Sequence, residues 1–450
     1  MREMKDSGIE WIGKIPRHWI YPKITYILDT EHEYPIGDGD HGTIKADNYV
    51  QEGIPFIRVQ NLGFATPLRL DDVVYITKKQ NITIKNSTLK PDDILFAKTG
   101  ATIGKVGIVP KELLISNTTS HVGKITVNKK IIVPRFLFYA LSSTVGYKLL
   151  WDIAGQKSTR PELSIEEIKR LHIILPDSLQ EQQTIVDYLD AKCADIDSLT
   201  VDIQKQINIL KEYKKSVITQ AVTKGLDPNV EMKDSGIYGA DKIPKHWKVK
   251  RNKFISTSLS KGNGITKDQV TQNGDTECIR YGEIYTKYDK EAISIFSHTN
   301  LNLIDKPRFC RYGDILFTCT GELIEEIGKN IVYLGNKKCM VGGDIIIMQH
   351  SENPKFLNYA LSSSYSQNQK SKGKAKLKVV HISSSDIGNI LIALPPLKEQ
   401  QVIADYLDAK CADIDAAIAG KQKQLDVLKE YKKSLIYEYV TGKKEVPCRE

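Results

Sequence analysis

Several signatures of common chemistry are missing from this chain of 450 residues. Its seven cysteines, at 193, 278, 310, 319, 339, 411 and 448, form no C-x-x-C pair and are odd in number. That argues against a disulfide framework or a structural zinc site, and no metal is expected. No window approaches 18 uninterrupted apolar residues, so no membrane-spanning helix is expected. The opening MREMKDSGIEWIGKIP is charged from the start and lacks the apolar core of a signal peptide. The expected location is therefore the cytoplasm. What is present is ordinary for a globular protein: 41% hydrophobic and 26% charged residues. Basic residues outnumber acidic ones by 64 to 55, a net charge of +9. That balance permits nucleic-acid binding without requiring it.

The chain repeats itself. EQQTIVDYLDAKCADID at 181–197 returns as EQQVIADYLDAKCADID at 399–415, and LKEYKKS at 210–216 returns at 428–434. MKDSGI at 4–9 recurs at 232–237, and IPRHW at 15–19 is answered by IPKHW at 243–247. DILF at 93–96 matches 314–317, and RFLFYALSS at 135–143 matches KFLNYALSS at 355–363. The unit is far longer than the roughly 20–50 residues of a solenoid repeat. It is a duplicated domain: a divergent globular part followed by a near-identical helical part.

In the helical part Leu189, Ile196, Ile203, Leu210 and Val217 are spaced by seven, the period of a coiled-coil seam. Ile185, Cys193, Leu199, Ile207, Tyr213 and Ala221 fill the intervening steps of three and four. Cys193 and Cys411 then read as small core residues rather than redox groups. The second copy continues the seam through Leu407, Ile414, Leu425, Leu428, Tyr431 and Leu435, and places Lys421 where the first has Ile203. Ser178 with Glu181 forms a capping box, and Gly225 with Pro228 closes the helix. A helix over 178–224 would be about 65–70 Å long. Such a seam needs a partner, and the economical one is the other copy in the same chain. The globular parts carry short β-rich runs over 50–130 and 276–350 and turn helical near Pro134 and Pro354.

The expected fold is therefore α+β: two globular domains separated by two long helices that form an intramolecular antiparallel coiled coil, as a pseudo-twofold tandem repeat. The expected segments are 1–177, 178–224, 225–395, 396–441 and a tail at 442–450.

Catalytic patterns fail on inspection. GATIGK at 100–105 is one residue short of a phosphate loop and puts Val106 where magnesium needs a hydroxyl; the second copy reads GELIEE. Lys98 lacks the acidic residue two positions before it that a nuclease would place there, and the second copy has Cys319. The N/D-P-P-Y/F signature of amino-methyltransferases is absent. Asp187, Asp190, Asp195 and Asp197, repeated as Asp405, Asp408, Asp413 and Asp415, read as a solvated or partner-facing flank, because one helix surface rarely converges on a metal.

What remains is binding. Arg58, Gln60 and Asn61 end an apolar run; Lys98 and Thr99 sit in a loop; Lys157 and Arg160 precede Pro161. In the second copy Arg280, Tyr281 and Glu283 replace the first group. QKSKGKAKLK places Lys370, Lys372, Lys374, Lys376 and Lys378 at alternate positions, one face of an extended segment suited to phosphates. The same stripe could equally protect a solvated strand edge.

The order of these strings, each half beginning with I-P-R/K-H-W and carrying D-I-L-F-x-x-T-G before its long helix, resembles the specificity subunit of Type I restriction–modification systems over essentially the whole chain. The resemblance implies that each globular part is a target recognition domain reading one half of a split double-stranded DNA site. It implies that the repeated helices space the two domains and dock two methyltransferase subunits. Methyl donor and ATP would be bound by partner subunits, including a motor–endonuclease, so no cofactor is expected here. Arg, Gln and Asn would read base edges and Lys would bind phosphates. A coiled-coil scaffold without a DNA role and a stand-alone methyltransferase or nuclease are the alternatives.

Overall fold

The computed structural model describes residues 2–9, 12–40, 42–155, 161–321, 326–372 and 380–447. The chain is α+β and forms two compact units, residues 1–203 with 423–450, and residues 204–422. The division cuts both long helices, so each unit owns an end of each.

In the first unit a four-stranded antiparallel sheet runs in the order Ile36–Asp38, Val122–Ile125, Ile94–Ala97, Val106–Ile108. A smaller sheet places Ile54–Ile57 between Val74–Ile76 and Asn117–Thr118, the last pair being parallel. All four residues of Ile94–Ala97 are buried, as a strand covered on both faces requires. The helix Pro134–Ser142 begins with proline at its first turn and buries Phe136 to Leu141.

The second unit repeats this plan with more strands. One sheet runs Ser256–Lys261, Ile345–His350, Ile315–Thr318, Asn330–Tyr333, Glu291–Ala292; the other runs Val270–Thr271, Ser297–Thr299, Thr276–Ile279, Cys339–Val341, Phe309–Cys310. The helix Pro354–Ser362 matches Pro134–Ser142.

The long helices are Leu179–Lys224 and Leu397–Val440. Each stops just before a glycine in the left-handed region, Gly225 at φ +72° and Gly442 at φ +67°. In the first unit Leu189, Cys193 and Ile196 share a core with Leu435, Ile436 and Tyr439. In the second, Val217, Ala221 and Val222 share one with Ile403, Leu407 and Cys411. The two helices run antiparallel in each: Lys432 donates to Asp197 at 2.7 Å in the first unit and Lys214 to Asp415 at 2.7 Å in the second.

Leu189, Ile196, Val217, Leu407, Ile414 and Leu435 are buried, whereas Ile203, Leu210, Leu425 and Leu428 are half-buried. Leu199, Tyr213 and Tyr431 depart from the expected seam and are 52%, 47% and 54% exposed. A two-helix seam covers a narrower stripe than the steps of three and four would fill. Cys193 and Cys411 are buried, and burial pushes both thiols above their ordinary pKa, as unreactive core residues.

Candidate nucleic-acid interface and repeated helices

Much of the repeated helix is identical because it does the same internal work twice. Trp19 and Trp247 are fully buried, and each indole Nε1 donates at 3.0 Å to Glu181 or Glu399. His18 and His246 reach the second oxygen of the same carboxylates at 2.8 Å. The I-P-R/K-H-W strings are thus the seats of the long-helix N-termini. Gln182 and Gln400, also fully buried, accept from the backbone N–H of Val133 (2.8 Å) and Asn353 (2.9 Å). They donate to Pro176 O and Pro395 O, each at 2.9 Å. Tyr139 donates to Asp190 at 2.6 Å and Tyr359 to Asp408 at 2.7 Å, with Arg135 and Lys355 as the cationic partners. Burial first, and then the carboxylate bond, drives both phenols far above their ordinary pKa.

These contacts correct the expectation of a uniform acidic flank. Asp190, Asp197, Asp408 and Asp415 are half-buried and engaged internally, because each faces a neighbouring element. Gln183, Asp187, Ala191, Ala194 and Asp195, with Gln401, Asp405, Ala409, Ala412 and Asp413, are exposed in both copies. Lys211, Tyr213 and Lys429, Tyr431 are exposed as well. In the first unit Gln183 and Ala194 line an open groove of about 1000 Å³ opposite Ala65–Leu68 and Pro110–Leu113.

The expected base readers divide. Gln60 is exposed, but its amide donates to Asp72 at 2.9 Å. Asn61 is fully buried and donates to Arg69 O (2.8 Å) and Asp72 Oδ1 (2.9 Å), so it is a structural brace and not a base reader. The reason is local: its Oδ1 also accepts the Arg58 N–H at 2.8 Å, closing a helical turn. Lys98 is buried in an ion pair with Asp38, which removes it from any ligand surface. Thr99 stays half-exposed beside His121, its hydroxyl 3.3 Å from Nδ1.

In the second unit Glu283 is buried and takes the Arg280 N–H at 2.8 Å and the Ser297 hydroxyl, so it too is structural. Tyr281 is 45% exposed. Lys370 does not belong to an extended stripe. It lies on the helix Ser364–Ser371, is almost wholly buried, and donates at 2.8 Å to Gly328 O and to Asn330 Oδ1. Lys372, just beyond, is exposed. Lys157, Arg160, Lys374, Lys376 and Lys378 lie outside the described residues. Among the described residues no group of three His, Cys, Asp or Glu side chains could hold a metal ion, and no helix is long and apolar enough to cross a membrane.

Two divergent α+β units, each closed by the ends of a duplicated helix pair, define a tandem recognition-domain architecture. The family model of the Type I restriction modification DNA specificity domain matches residues 40–210 and 244–427. The chain belongs to that family and is a specificity subunit of the Type I restriction–modification kind. It is 26% identical over 373 residues to the type I restriction enzyme MjaVIII specificity subunit of Methanocaldococcus jannaschii, covering 82% of each chain. It is 21% identical over 413 residues to the type I restriction enzyme EcoKI specificity subunit of Escherichia coli, covering 90% of this chain and 84% of that protein. A chain from a structural study of complex assembly and conformational transition in the type I R-M system superposes with a TM-score of 0.70 at 14% identity, covering 96% of this chain and 99% of the other. That likeness establishes the shared fold.

Proposed function

We propose that this chain reads a bipartite, asymmetric DNA target, one half-site per unit, and docks two methyltransferase subunits on its repeated helices without catalysing a reaction itself. The observation that carries this reading is the residue-by-residue split within the duplication. Internal contacts account for Glu181, Gln182, Asp190 and Asp197 and their second copies. They do not account for Ala191, Ala194, Asp195 and Tyr213 being identical in the second copy while exposed in both, and Asp187 and Asp405 take only an exposed bond from the side chain one turn earlier on their own helix, Gln183 or Gln401. Two identical partners require two identical surfaces, and an internal repeat lets one chain supply them. Recognition domains that read different half-sites have no such constraint, and theirs have diverged.

Methyl donor and ATP would bind to the partner subunits, and a motor–endonuclease would join the same complex. The antiparallel helices would set one fixed gap of unspecified bases between half-sites.

The test is the host methylome with and without this gene. Loss of one bipartite methylated motif on deletion is expected. An unchanged methylome, with the methyltransferase expressed, sinks the reading. Docking is tested separately: reversing charge at Asp187 and Asp195 should reduce bound methyltransferase from two copies to one, and reversing Asp405 and Asp413 as well should leave none. Removing one heptad from both helices should shorten the gap, and an unchanged gap refutes the spacer role.

A further inference from the structure

Arg58 and Arg280 occupy the same place in the two units. Each directly follows a strand with one parallel neighbour, Ile54–Ile57 beside Asn117–Thr118 and Thr276–Ile279 beside Cys339–Val341, with Ile57 opposite Thr118 and Ile279 opposite Val341. Each has its backbone N–H tied at 2.8 Å to the side chain three residues on, Asn61 or Glu283. Each arginine is half-exposed, and each Nε is shielded from solvent without a hydrogen-bond partner. The outer nitrogens have few partners: Arg58 Nη2 donates to Asp72 O at 2.9 Å with its Cζ 6.0 Å from the Tyr49 ring centroid, and Arg280 Nη2 lies 3.5 Å from Glu283 Oε1. Among the described residues Arg58 makes no ion pair. The three residues after the arginine all differ, Val59, Gln60 and Asn61 against Tyr281, Gly282 and Glu283.

We propose that Arg58 and Arg280 are matched backbone anchors, each placing its guanidinium on a DNA phosphate and so fixing the register of its unit on the duplex. This rests on the DNA-recognition reading above. A side chain that reads a base must differ between domains that read different half-sites. A phosphate is the same at every step, so the residue that serves it can be the same in both. A guanidinium keeps its charge at any working pH and offers a planar donor edge to phosphate oxygens. The two arginines therefore position, and the exposed residues that differ beside them, Gln60 and Tyr281, are left to discriminate.

The experiment uses the full chain bound to its methyltransferase partner and duplex DNA that the wild-type complex selects from a random-sequence library. Affinity is followed from 50 to 200 mM salt. Arg58→Gln and Arg280→Gln should each flatten the log–log salt slope by about 0.9, the value of one phosphate contact. Each should weaken all sequences by the same factor and leave the selected motif unchanged, and the Arg→Lys variants should retain the slope. An unchanged slope in the Gln variants overturns the proposal, as does lost discrimination within one half-site, which would make the arginine a base reader. Denaturant melting checks that each variant folds. Should a Gln variant not fold, the wild-type complex is tested on duplexes with one neutral methylphosphonate at a time. A single sensitive position at matched distances in the two half-sites supports the anchors, and no such match refutes them. A wild-type complex with no salt-dependent DNA binding sinks the recognition reading and the anchors with it.

Discussion

One corner of the fold is built twice from opposite materials. In the first unit Val106, Phe138 and Leu150 fill it with hydrocarbon, all three buried in one core. At the same places in the second unit stand Asn330, Asn358 and Lys370, equally buried. Asn330 lies opposite Phe317 as Val106 lies opposite Phe96. Its amide donates to Asn358 Oδ1 (2.7 Å) and Ser362 Oγ (2.9 Å), and its carbonyl accepts from Lys370. Asn358 donates in turn to Lys290 O at 2.8 Å. The Lys370 ammonium also sits 5.5 Å from the centroid of Phe317. One strand–helix frame thus accepts an apolar or a polar filling, provided all members change together. A buried polar network is tolerable when satisfied and costly when half-satisfied. The first unit shows the leftover: Ser142, the counterpart of Ser362, keeps a shielded hydroxyl with no partner.

The largest effect should come from breaking the network in one place. Asn330→Val takes one of two acceptors from the Lys370 amine, leaving it Gly328 O, and takes the donor from Asn358 Oδ1 and Ser362 Oγ; it should cost the second unit about 3 kcal/mol. The triple change Asn330→Val, Asn358→Phe, Lys370→Leu, which copies the first unit, should recover most of that loss. Denaturant unfolding followed by hydrogen exchange of peptides from each unit separates the two outcomes. A triple variant as unstable as the single one would show that the two corners are not interchangeable.

An effect smaller over any one pH unit should appear with pH. Burial lowers the Lys370 pKa to about 7, while the unfolded chain keeps this lysine protonated to about 10.4. Between those values the unfolded state binds the extra proton, so the contribution to stability grows as pH rises and is lost as pH falls towards 7. The second unit should gain at most about 1.4 kcal/mol per pH unit from this group, and Lys370→Met should remove that gain. Identical pH profiles for the wild type and Lys370→Met would refute it.

The smallest difference is expected where the units agree. Asp197–Lys432 and Asp415–Lys214 are the same helix-to-helix ion pair in duplicate. Both carboxylates are more than a third exposed, so solvent screening limits each pair to about 0.5 kcal/mol. Double-mutant cycles should return equal coupling in both units. A clear inequality would show that the duplicated seam is not energetically symmetric.

The comparison also marks how far the amino-acid pattern reaches. The duplication, the α+β class and the two long helices were legible because heptad spacing and capping are local properties, read within a few turns. The recognition surface was less so. Asn61 and Lys98 carry the chemistry of DNA contacts, yet one is consumed by Asp72 and Arg69 and the other by Asp38. Lys370 belongs by composition to a lysine stripe, yet continues a helix that begins after Ser363 and turns it inward at the place of Leu150. Identity between the copies was a usable signal for Trp19, Glu181 and Gln182, but it does not distinguish internal work from partner contact.

By itself, then, the sequence determined that one unit occurs twice, that its helices pair along a seven-residue seam, and that the lobes diverge while the helices do not. Only the tertiary structure decided which repeated side chains face inward. Trp19 lies 162 residues from Glu181 and Val133 lies 49 from Gln182, and no local periodicity encodes a contact at that range. Burial of a polar side chain depends on what the rest of the chain brings to it, and that is settled only when the units close.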